Sequence, residues 1–297
     1  MRKKILRFFD LVSNFKWKMI FLLKKITDSK FRITINLNKK LENNHKGKRC
    51  FIVGNGPSLK KMDLSHLTNE IVFTVNSIMT NKEIYDQLNS DYHVIIDHGF
   101  FKLDLKQKDD RITRDLYKKI NYKSKKPICI VDYAGKLAFD SYGLDDLNKY
   151  YIYLHSNLTA NYRRKIKLSG NIPTSQNVIH AAIFSAISMG IKKIYLVGCD
   201  MTSIFLNFES DIDGNITTAE NNHAYNYTDS EKKRLLKDFN ILDNEEVLHD
   251  YAKTFTIFKN IRKYCEKNDI EIYNATSGGG LDVFKRIKFE SLFNKGF

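Results

Sequence analysis

The sequence predicts an α/β fold in which a mostly parallel sheet is flanked by helices. Short apolar runs that suit buried strands alternate along the chain with longer segments that suit helices, and this alternation is typical of parallel sheets. Polar or glycine-containing turns follow several of the apolar runs. With 297 residues, of which 42% are hydrophobic, the chain is long enough for one large domain with appended segments.

The elements can be placed in order along the chain. The predicted strands are 49–53, 71–75, 93–96, 128–131, 151–154, 193–197 and 270–273. The predicted helices are a short one at 81–88 and longer ones at 176–189 and 247–267. Together they predict a Rossmann-like domain over residues 48–297, in which a polar region at about 201–245 forms a lid.

Residues 1–35 form a basic, amphipathic segment, which a polar linker at 36–47 joins to the domain. The apolar runs of this segment are too short for a spanning helix, which needs about 20 apolar residues in succession. A basic helix of this kind is expected to lie on an anionic membrane surface, and the alternative is a helix packed on the main domain. The residues available for its apolar side are Phe8, Phe9, Leu11, Val12, Trp17, Ile20, Phe21 and Leu22.

The composition narrows the classes of partner. A net charge of +15 and a pI near 9.4 favour an anionic partner, either a membrane surface or a phosphorylated substrate. Nucleic acid is not expected, because no basic motif with interleaved stacking aromatics occurs. The four cysteines are widely spaced in apolar segments, which argues against a metal-binding CxxC pattern and a secreted disulfide framework and indicates a reducing cytoplasm.

The most informative turn is Gly54-Asn55-Gly56-Pro57-Ser58, which closes the first predicted strand. Residues 59–62 read as the first turn of a helix, whose free N–H groups would point at negative charge. The glycines lack a Cβ and would let the backbone approach a ligand closely. The pattern therefore predicts a phosphate-binding turn, and a turn that only connects two elements is the alternative.

Polar residues follow other predicted strands as well. Asn76, Asp97 and Asp200 each come just after an apolar run, and ligands of parallel sheets bind beyond such strand ends. Thr174 or Ser175 is expected to cap the helix that follows the second proline loop. Asp200 is expected either to cap the next segment or to contact a ligand, and the sequence leaves both open.

In this order the motifs resemble those of the bacterial lipooligosaccharide sialyltransferases, glycosyltransferase family 42. These enzymes belong to a wider superfamily that includes the MptE-like pyrophosphokinase domains. The resemblance lies in residues 54–59, 75–77, 173–175 and 194–200, and it extends over about 48–285. The closing turn at 274–280 is more similar to the MptE-like branch. The resemblance implies a sialyltransferase-like variant of the GT-A fold.

The resemblance also implies an activity and a place in the cell. Sialic acid or a related nonulosonic acid would pass from a CMP-sugar to a glycan or lipid-linked glycan of bacterial surface polysaccharide (lipopolysaccharide, O-antigen or capsule). Transfer would be inverting and metal-independent, at the inner face of the cytoplasmic membrane, and a homo-oligomer stays possible. Donor contacts would come from Gly54, Asn55, Gly56, Ser58, Asn76, Asp97, Thr174, Ser175 and Asp200.

Two further roles rest on the same resemblance. His249 matches the histidine that acts as general base, and an imidazole with an ordinary pKa near 6.5 suits proton removal at neutral pH. His223, Tyr225 and Tyr227 would hold the donor phosphate from the lid. Without the resemblance, His249 reads as a solvated residue in the first turn of a helix.

Three positions depart from the sialyltransferase pattern. Thr202 stands in place of a phosphate-binding tyrosine, Ile172 in place of an arginine near the acceptor, and Asp97 in place of an asparagine. The alternative function is that of an MptE-like 6-hydroxymethylpterin pyrophosphokinase. That reaction requires Mg²⁺, and Asp97 and Asp200, predicted at neighbouring strand ends, would supply its carboxylates.

Overall fold

The computed structural model of the chain describes residues 2–98, 101, 119–122, 125–144, 146–160, 162–202, 224 and 244–293. The strands are β1 (Arg49–Val53), β2 (Val72–Val75), β3 (Tyr92–Ile95), β4 (Ile128–Asp132), β5 (Lys149–Ser156), β6 (Asn171–Pro173), β7 (Lys193–Val197), β8 (Glu271–Asn274) and β9 (Lys285–Arg286). The α-helices are α1 (Arg2–Thr27), α2 (Ser29–Leu37), α3 (Lys82–Gln87), α4 (Lys136–Ser141), α5 (Val178–Ser188) and α6 (Asn244–Lys267).

These strands form one sheet in the order β6-β5-β4-β3-β2-β1-β7-β8-β9, and every neighbouring pair is parallel. The α/β class and the parallel sheet are thereby confirmed. The inner strands are buried on both faces, as β1 illustrates. Cys50 and Ile52 pack into the core on one side of the sheet, whereas Phe51 and Val53 pack on the other. Burial on both sides explains why these strands occur in the sequence as continuous apolar runs.

The sequence did not predict β6 and β9, which are short strands at the two edges of the sheet. β6 contains Pro173, which has no N–H to donate to a further strand, and edge positions tolerate that loss. β9 consists of Lys285 and Arg286, both exposed. Neither strand contains an apolar run of the length from which strands were predicted.

The turn after β1 differs from its prediction. Residues Pro57–Lys61 form a short 3-10 helix instead of the first turn of an α-helix. Met62 then returns to an extended conformation, and Asp63 caps a second 3-10 helix, Leu64–Leu67. The connection between β1 and β2 therefore contains no α-helix whose N-terminus could bind an anion.

The cap of α5 also differs from its prediction. Asn177, in an extended conformation, accepts a hydrogen bond from the backbone N–H of Ile179 at 2.9 Å. Thr174 lies too early to cap the helix, because its backbone N–H still continues the β5–β6 pairing by donating to the Ser156 carbonyl at 2.6 Å. The predicted caps Thr174 and Ser175 are therefore replaced by Asn177.

The N-terminal helices α1 and α2 pack against β5, and α1 also reaches β6, so they cover this edge of the sheet. Phe21, Phe31 and Ile35 bury a small apolar cluster against Tyr153 of β5. Asp28 accepts a hydrogen bond from the Phe31 backbone N–H and starts α2. Among the helices that the structure describes, none combines the length and apolarity needed to cross a bilayer.

Segment 36–47, predicted as a linker, is packed against the domain. It contains the end of α2 and a 3-10 helix, Asn38–Lys40. The fully buried Asn38 side chain donates hydrogen bonds to the Tyr151 carbonyl at 2.7 Å and the Leu168 carbonyl at 2.8 Å. These hydrogen bonds connect the N-terminal helices to the sheet, although Asn38 lies in a stretch of polar residues that the sequence predicts as a solvated linker.

Candidate active site

The polar residues predicted after the strands meet at one edge of the sheet. Asn55 follows β1, Asn76 follows β2, Asp97 follows β3 and Asp200 follows β7, and these four strands are consecutive in the order β3-β2-β1-β7. Because all strands are parallel, their carboxyl ends lie together at this edge. We call it the carboxyl edge.

The glycine turn after β1 packs against the turn after β7. The Gly54 N–H donates to the Val197 carbonyl and the Gly56 N–H to the Gly198 carbonyl, both at 2.8 Å. The Ser58 N–H donates to the Asp200 carboxylate at 3.1 Å. All three of these N–H groups therefore already have protein acceptors.

The glycines of this turn are explained by the same packing. A Cβ on Gly54 would lie 2.5 Å from the Gly198 carbonyl oxygen, and one on Gly56 would lie 1.8 Å from an Asp200 carboxylate oxygen. Gly56 has a φ of −68°, so its backbone conformation does not require glycine. The glycines let two loops of the protein approach each other, and this contact shapes the turn.

Asp200 is the partner that holds the turn. Its two oxygens accept hydrogen bonds from the Ser58 N–H at 3.1 Å and the Ser58 hydroxyl at 2.8 Å. Burial raises the pKa of Asp200, and the two Ser58 hydrogen bonds oppose that rise. Among the described residues Asp200 is a buried brace between the two loops, and the segment that it was expected to cap lies largely outside them.

Asn76 is held in an uncommon backbone conformation. Its φ is +44°, in the left-handed region, where asparagine is better tolerated than most residues. Its N–H donates to the Val94 carbonyl at 3.0 Å, and its carbonyl receives the His93 Nε2–H at 2.8 Å. Because a carbonyl can only accept, Nε2 carries the proton, and Nδ1 accepts from the Thr74 hydroxyl at 2.8 Å.

Four side-chain oxygens near the carboxyl edge are buried and accept or donate no hydrogen bond among the described residues. They are Asn55 Oδ1, Asn76 Oδ1, Ser175 Oγ and Thr202 Oγ1. Buried polar atoms nearly always have partners, so a group of them marks a place where a polar ligand would complete the hydrogen bonding. Three of the four belong to the predicted donor residues, and Thr202 is an addition.

The N-terminus of α5 opens onto the same edge. This helix connects β6 to the parallel strand β7 and must therefore run antiparallel to both, so it begins at the edge where the strands end. Asn177, its cap, also approaches Met201 beside the β7 turn, with Nδ2 at 3.8 Å from the sulfur. Helix N-termini favour negative charge, and Ser175 lies two residues before the cap of this helix. Thr174 is exposed, and its hydroxyl is 3.5 Å from the Leu154 carbonyl.

His249 lies in the second turn of α6, and its side chain is exposed. The α6 helix packs beside α5, where the His180 ring lies 4.2 Å from the Phe258 ring and against the Thr254 backbone. Both helices run antiparallel to the strands, so the first turns of α6 also belong to the carboxyl edge. Asp97 is exposed there too.

The predicted lid falls almost entirely outside the described residues, and His223, Tyr225 and Tyr227 lie there. Ala224 is described and is buried. Its N–H donates to the Asn55 carbonyl at 2.7 Å, and its carbonyl accepts from the Asn81 side chain at 2.6 Å. Ala224 thus bridges the turns that follow β1 and β2.

Sequence reasoning missed one further pair at this edge. His98 Nε2 lies 3.2 Å from a carboxylate oxygen of Asp132, which ends β4, and the Asp132 side chain is only 8% exposed. The other Asp132 oxygen accepts from the Ala134 N–H at 3.1 Å. The rule applied to the other strands, a polar residue directly after an apolar run, would have found Asp132.

The family described as 6-hydroxymethylpterin diphosphokinase MptE-like matches residues 24–204 of this chain. That match spans more than half of the sequence. The chain belongs to the MptE-like family. The matched region of this MptE-like chain includes β1 to β7 and the polar residues Asn55, Asn76, Ser175 and Asp200. It ends before α6, which carries His249. No curated protein matches the chain in sequence.

Several solved structures are distantly similar to this MptE-like chain. The MAf glycosyltransferase from Magnetospirillum magneticum AMB-1 is 12% identical, with a TM-score of 0.47 over 88% of this chain and 39% of that protein. The chain therefore spans about two fifths of that glycosyltransferase. The sialyltransferase CstII from Campylobacter jejuni, in complex with CMP-3FNeuAc, is 19% identical, with a TM-score of 0.47 over 81% of this chain and 86% of that one. Similarities this distant do not define an activity for the chain.

Proposed function

We propose that the protein is an inverting glycosyltransferase that transfers sialic acid or a related nonulosonic acid from a CMP-sugar to a glycan acceptor. The observation that carries the proposal is the set of buried, unpartnered oxygens at the carboxyl edge. Three of them, in Asn55, Asn76 and Ser175, occupy motif positions that resemble the CMP-binding positions of the sialyltransferases. A nucleotide monophosphate has enough polar groups to complete their hydrogen bonding.

The phosphate of the donor is proposed to bind at the N-terminus of α5. This helix has 11 residues, so its dipole is developed, and the Ser175 hydroxyl can donate to a phosphate oxygen. The turn after β1 would contribute the Asn55 side chain, since its Gly54, Gly56 and Ser58 amides bind other acceptors. Asp200 would act indirectly, by holding that turn.

His249 is the proposed general base. The Thr254 backbone contacts His180 in the first turn of α5. His249 lies five residues before Thr254 in α6, and five helical residues span about 7 Å. This offset supports a position of the His249 side chain near the start of α5, where the donor phosphate is proposed to bind. It would take the proton of an acceptor hydroxyl as that oxygen attacks the anomeric carbon, while the bond to the phosphate breaks and CMP leaves.

The reaction is proposed to occur at the inner face of the bacterial cytoplasmic membrane, in surface polysaccharide biosynthesis, on an acceptor carried by a lipid. The support is the basic N-terminal segment, in which helix α1 has eight lysine and arginine residues and one aspartate. A charge of this sign and density favours the anionic surface of that leaflet. His223, Tyr225 and Tyr227 stay proposed contacts of the donor phosphate.

A second candidate function is suggested by the family match, namely transfer of a diphosphate from ATP to 6-hydroxymethylpterin. This reaction class uses Mg²⁺ to bridge phosphates. The residues expected to bind the ion, Asp97 and Asp200, follow β3 and β7, which are separated by β2 and β1. The ends of β3 and β7 are therefore three strand spacings apart, about 14 Å. The Asp200 carboxylate also already accepts a hydrogen bond from the Ser58 hydroxyl. These two carboxylates therefore do not fit one shared ion.

The two functions release different products. Purified protein would be incubated with CMP-sialic acid and a glycan acceptor, or with ATP and 6-hydroxymethylpterin, each with and without EDTA. We expect CMP release that persists in EDTA. Replacing His249 with alanine should lower the transfer rate at least about a thousandfold, which is within the range for loss of a general base. Metal-dependent AMP release with the pterin, and no CMP release, would replace the transferase by the kinase.

A further inference from the structure

Helix α1 presents apolar side chains on two opposite sides, and one of them is packed on the domain. On the packed side, the Trp17 ring lies 4.8 Å from the His155 ring, and the Phe21 ring lies 5.7 Å from the Tyr153 ring. Asn14 exchanges hydrogen bonds with the Asn157 backbone at 2.7 and 3.1 Å. These contacts fix the rotation of the helix about its axis, so the other side faces away from the domain.

The outward side is a continuous row of large apolar side chains. Along this row the exposed fractions are 50% for Val12, 65% for Phe15, 40% for Met19, 41% for Leu22, 55% for Leu23 and 74% for Ile26. Steps of three and four residues place these side chains on one face of a helix. The apolar residues of this helix thus divide into two sets, since the partly buried Trp17 and the buried Phe21 face the domain, whereas Val12 and Leu22 point outward.

We propose that this outward row is a docking surface for an anionic lipid bilayer. Isolated exposed apolar residues are ordinary, but a row of six on one helix face is a typical feature of interfacial helices. Lys16 and Lys18 flank the row and are exposed. They would contact lipid phosphates while the apolar side chains enter the acyl boundary.

Charge decides between this occupant and a second copy of the chain. Helix α1 carries eight basic residues and one acidic residue, so its net charge is +7. Two copies paired through the row would bring two such helices side by side, and like charges would oppose the contact. An anionic membrane supplies the opposite charge along the whole length of the helix.

The docking surface also orients the molecule. The inward side of α1 contacts His155 and Asn157 at the carboxyl end of β5, and this end belongs to the edge that holds the candidate site. A bilayer bound to the outward side would therefore lie one helix diameter, about 10 Å, from the β5 end of the carboxyl edge, and Asn55 after β1 lies four strand spacings, about 19 Å, further along that edge. The functional meaning of this orientation rests on the proposed transfer to a lipid-linked acceptor, whereas the proposed binding of α1 to the bilayer does not.

The test is co-sedimentation of the full-length protein with vesicles, without any substrate. The vesicles would contain phosphatidylglycerol and phosphatidylcholine, or phosphatidylcholine alone. The variant carries Phe15→Gln, Leu23→Gln and Ile26→Gln, which alter three highly exposed positions and retain good helix formers. The control is Leu137→Gln, because Leu137 is 76% exposed in α4, away from the row.

We expect the wild type and the control to bind the anionic vesicles, and the triple variant to bind at least about tenfold more weakly. Binding of the wild type should fall with added salt and on neutral vesicles. Equal binding by wild type and triple variant would overturn the proposal. So would a wild-type dimer in light scattering that the triple variant abolishes, because the row would then be an interface between copies.

Failure of this proposal can be told apart from failure of the proposed enzymatic function. The row lies outside the candidate site, so the triple variant should transfer to a soluble glycan acceptor at the wild-type rate. Loss of vesicle binding with that activity intact supports the docking surface. If the wild-type protein bound the vesicles but showed no transferase activity, the docking surface would be supported and only the proposed transferase function would be contradicted.

Discussion

His93 shows how a single buried side chain holds a residue of the candidate site. It is fully buried in β3, and its two ring nitrogens bind the Asn76 carbonyl and the Thr74 hydroxyl. Burial lowers the pKa of His93 to about 4, against a smaller opposing effect of the hydrogen bond to Asn76. The neutral ring is therefore the native form at neutral pH, and it supports the left-handed conformation of Asn76.

This environment predicts a loss of stability in acid. An unfolded histidine has a pKa near 6.5, so between that pH and about 4 the unfolded chain binds a proton that native His93 does not bind. His180, whose pKa burial lowers to about 3, acts in the same direction. The free energy of unfolding should therefore fall as the pH drops below 6.5, by about 2 kcal/mol per histidine at pH 5.

Urea unfolding at pH 7 and pH 5 measures the effect, and His93→Gln isolates the contribution of His93. Glutamine can still donate to the Asn76 carbonyl but does not titrate. The variant should lose less stability between the two pH values than the wild type does. Identical losses in the two proteins would show that His93 does not contribute to the pH dependence.

The turns after β1 and β7 act together as an element of the site. They join through backbone hydrogen bonds from Gly54 and Gly56 and through the Ser58–Asp200 pair. The third turn of this group follows β8, where the Gly280 N–H donates to the Asp200 carbonyl at 2.6 Å. A cavity of about 320 Å³ lies beside that third turn. From these contacts we expect that a disturbance of one turn also displaces the other two.

Gly56→Ala tests this coupling. The new Cβ would lie 1.8 Å from an Asp200 oxygen, so one of the two turns must move. We expect a loss of about 2 kcal/mol in the free energy of unfolding, as for an overpacked core. Nucleotide affinity should fall as well, because Asn55 is the preceding residue. Differential scanning calorimetry and nucleotide titration measure the two effects.

The control is Gly143→Asn. Gly143 has a φ of +67° and open space around its Cβ position, and asparagine is the side chain that best tolerates this conformation. Its replacement should cost less than about 1 kcal/mol and leave nucleotide affinity unchanged. If Gly56→Ala were no more disruptive than this control, the packed contact between the turns would not matter for stability.

The sequence predicted elements better than it predicted their roles. The inner strands were predicted because burial on both faces leaves an apolar run, and α5 and α6 because their length is helical. The roles of Gly56 and Asp200 depend on a contact between residues about 140 positions apart, which no local pattern reveals. Asn177 was missed as a cap because Thr174, Ser175 and Asn177 all belong to residue types that cap helices.

At the scale of the whole molecule, the sheet order separates the strands that carry the candidate site from the strands that the N-terminal helices cover. The β2-β1-β7 half carries Asn55, Asn76 and the brace at Asp200, whereas the β5-β6 side is covered by α1 and α2. Residues of the carboxyl edge could be predicted as strand ends, but their order across the edge could not. That order separates Asp97 from Asp200 and places α1 beside the edge, and both facts bear on function.

The central claim is that the buried, unpartnered oxygens of the carboxyl edge bind CMP. Calorimetric titration of CMP into the wild type and Asn55→Ala tests it most directly. We predict that CMP binds once per chain, that ATP binds at least about tenfold more weakly, and that Asn55→Ala loses about tenfold in CMP affinity. Its melting temperature should stay unchanged, because the Asn55 Oδ1 atom has no described protein partner. Equal CMP affinity in the two proteins, or binding of ATP without binding of CMP, would contradict the claim.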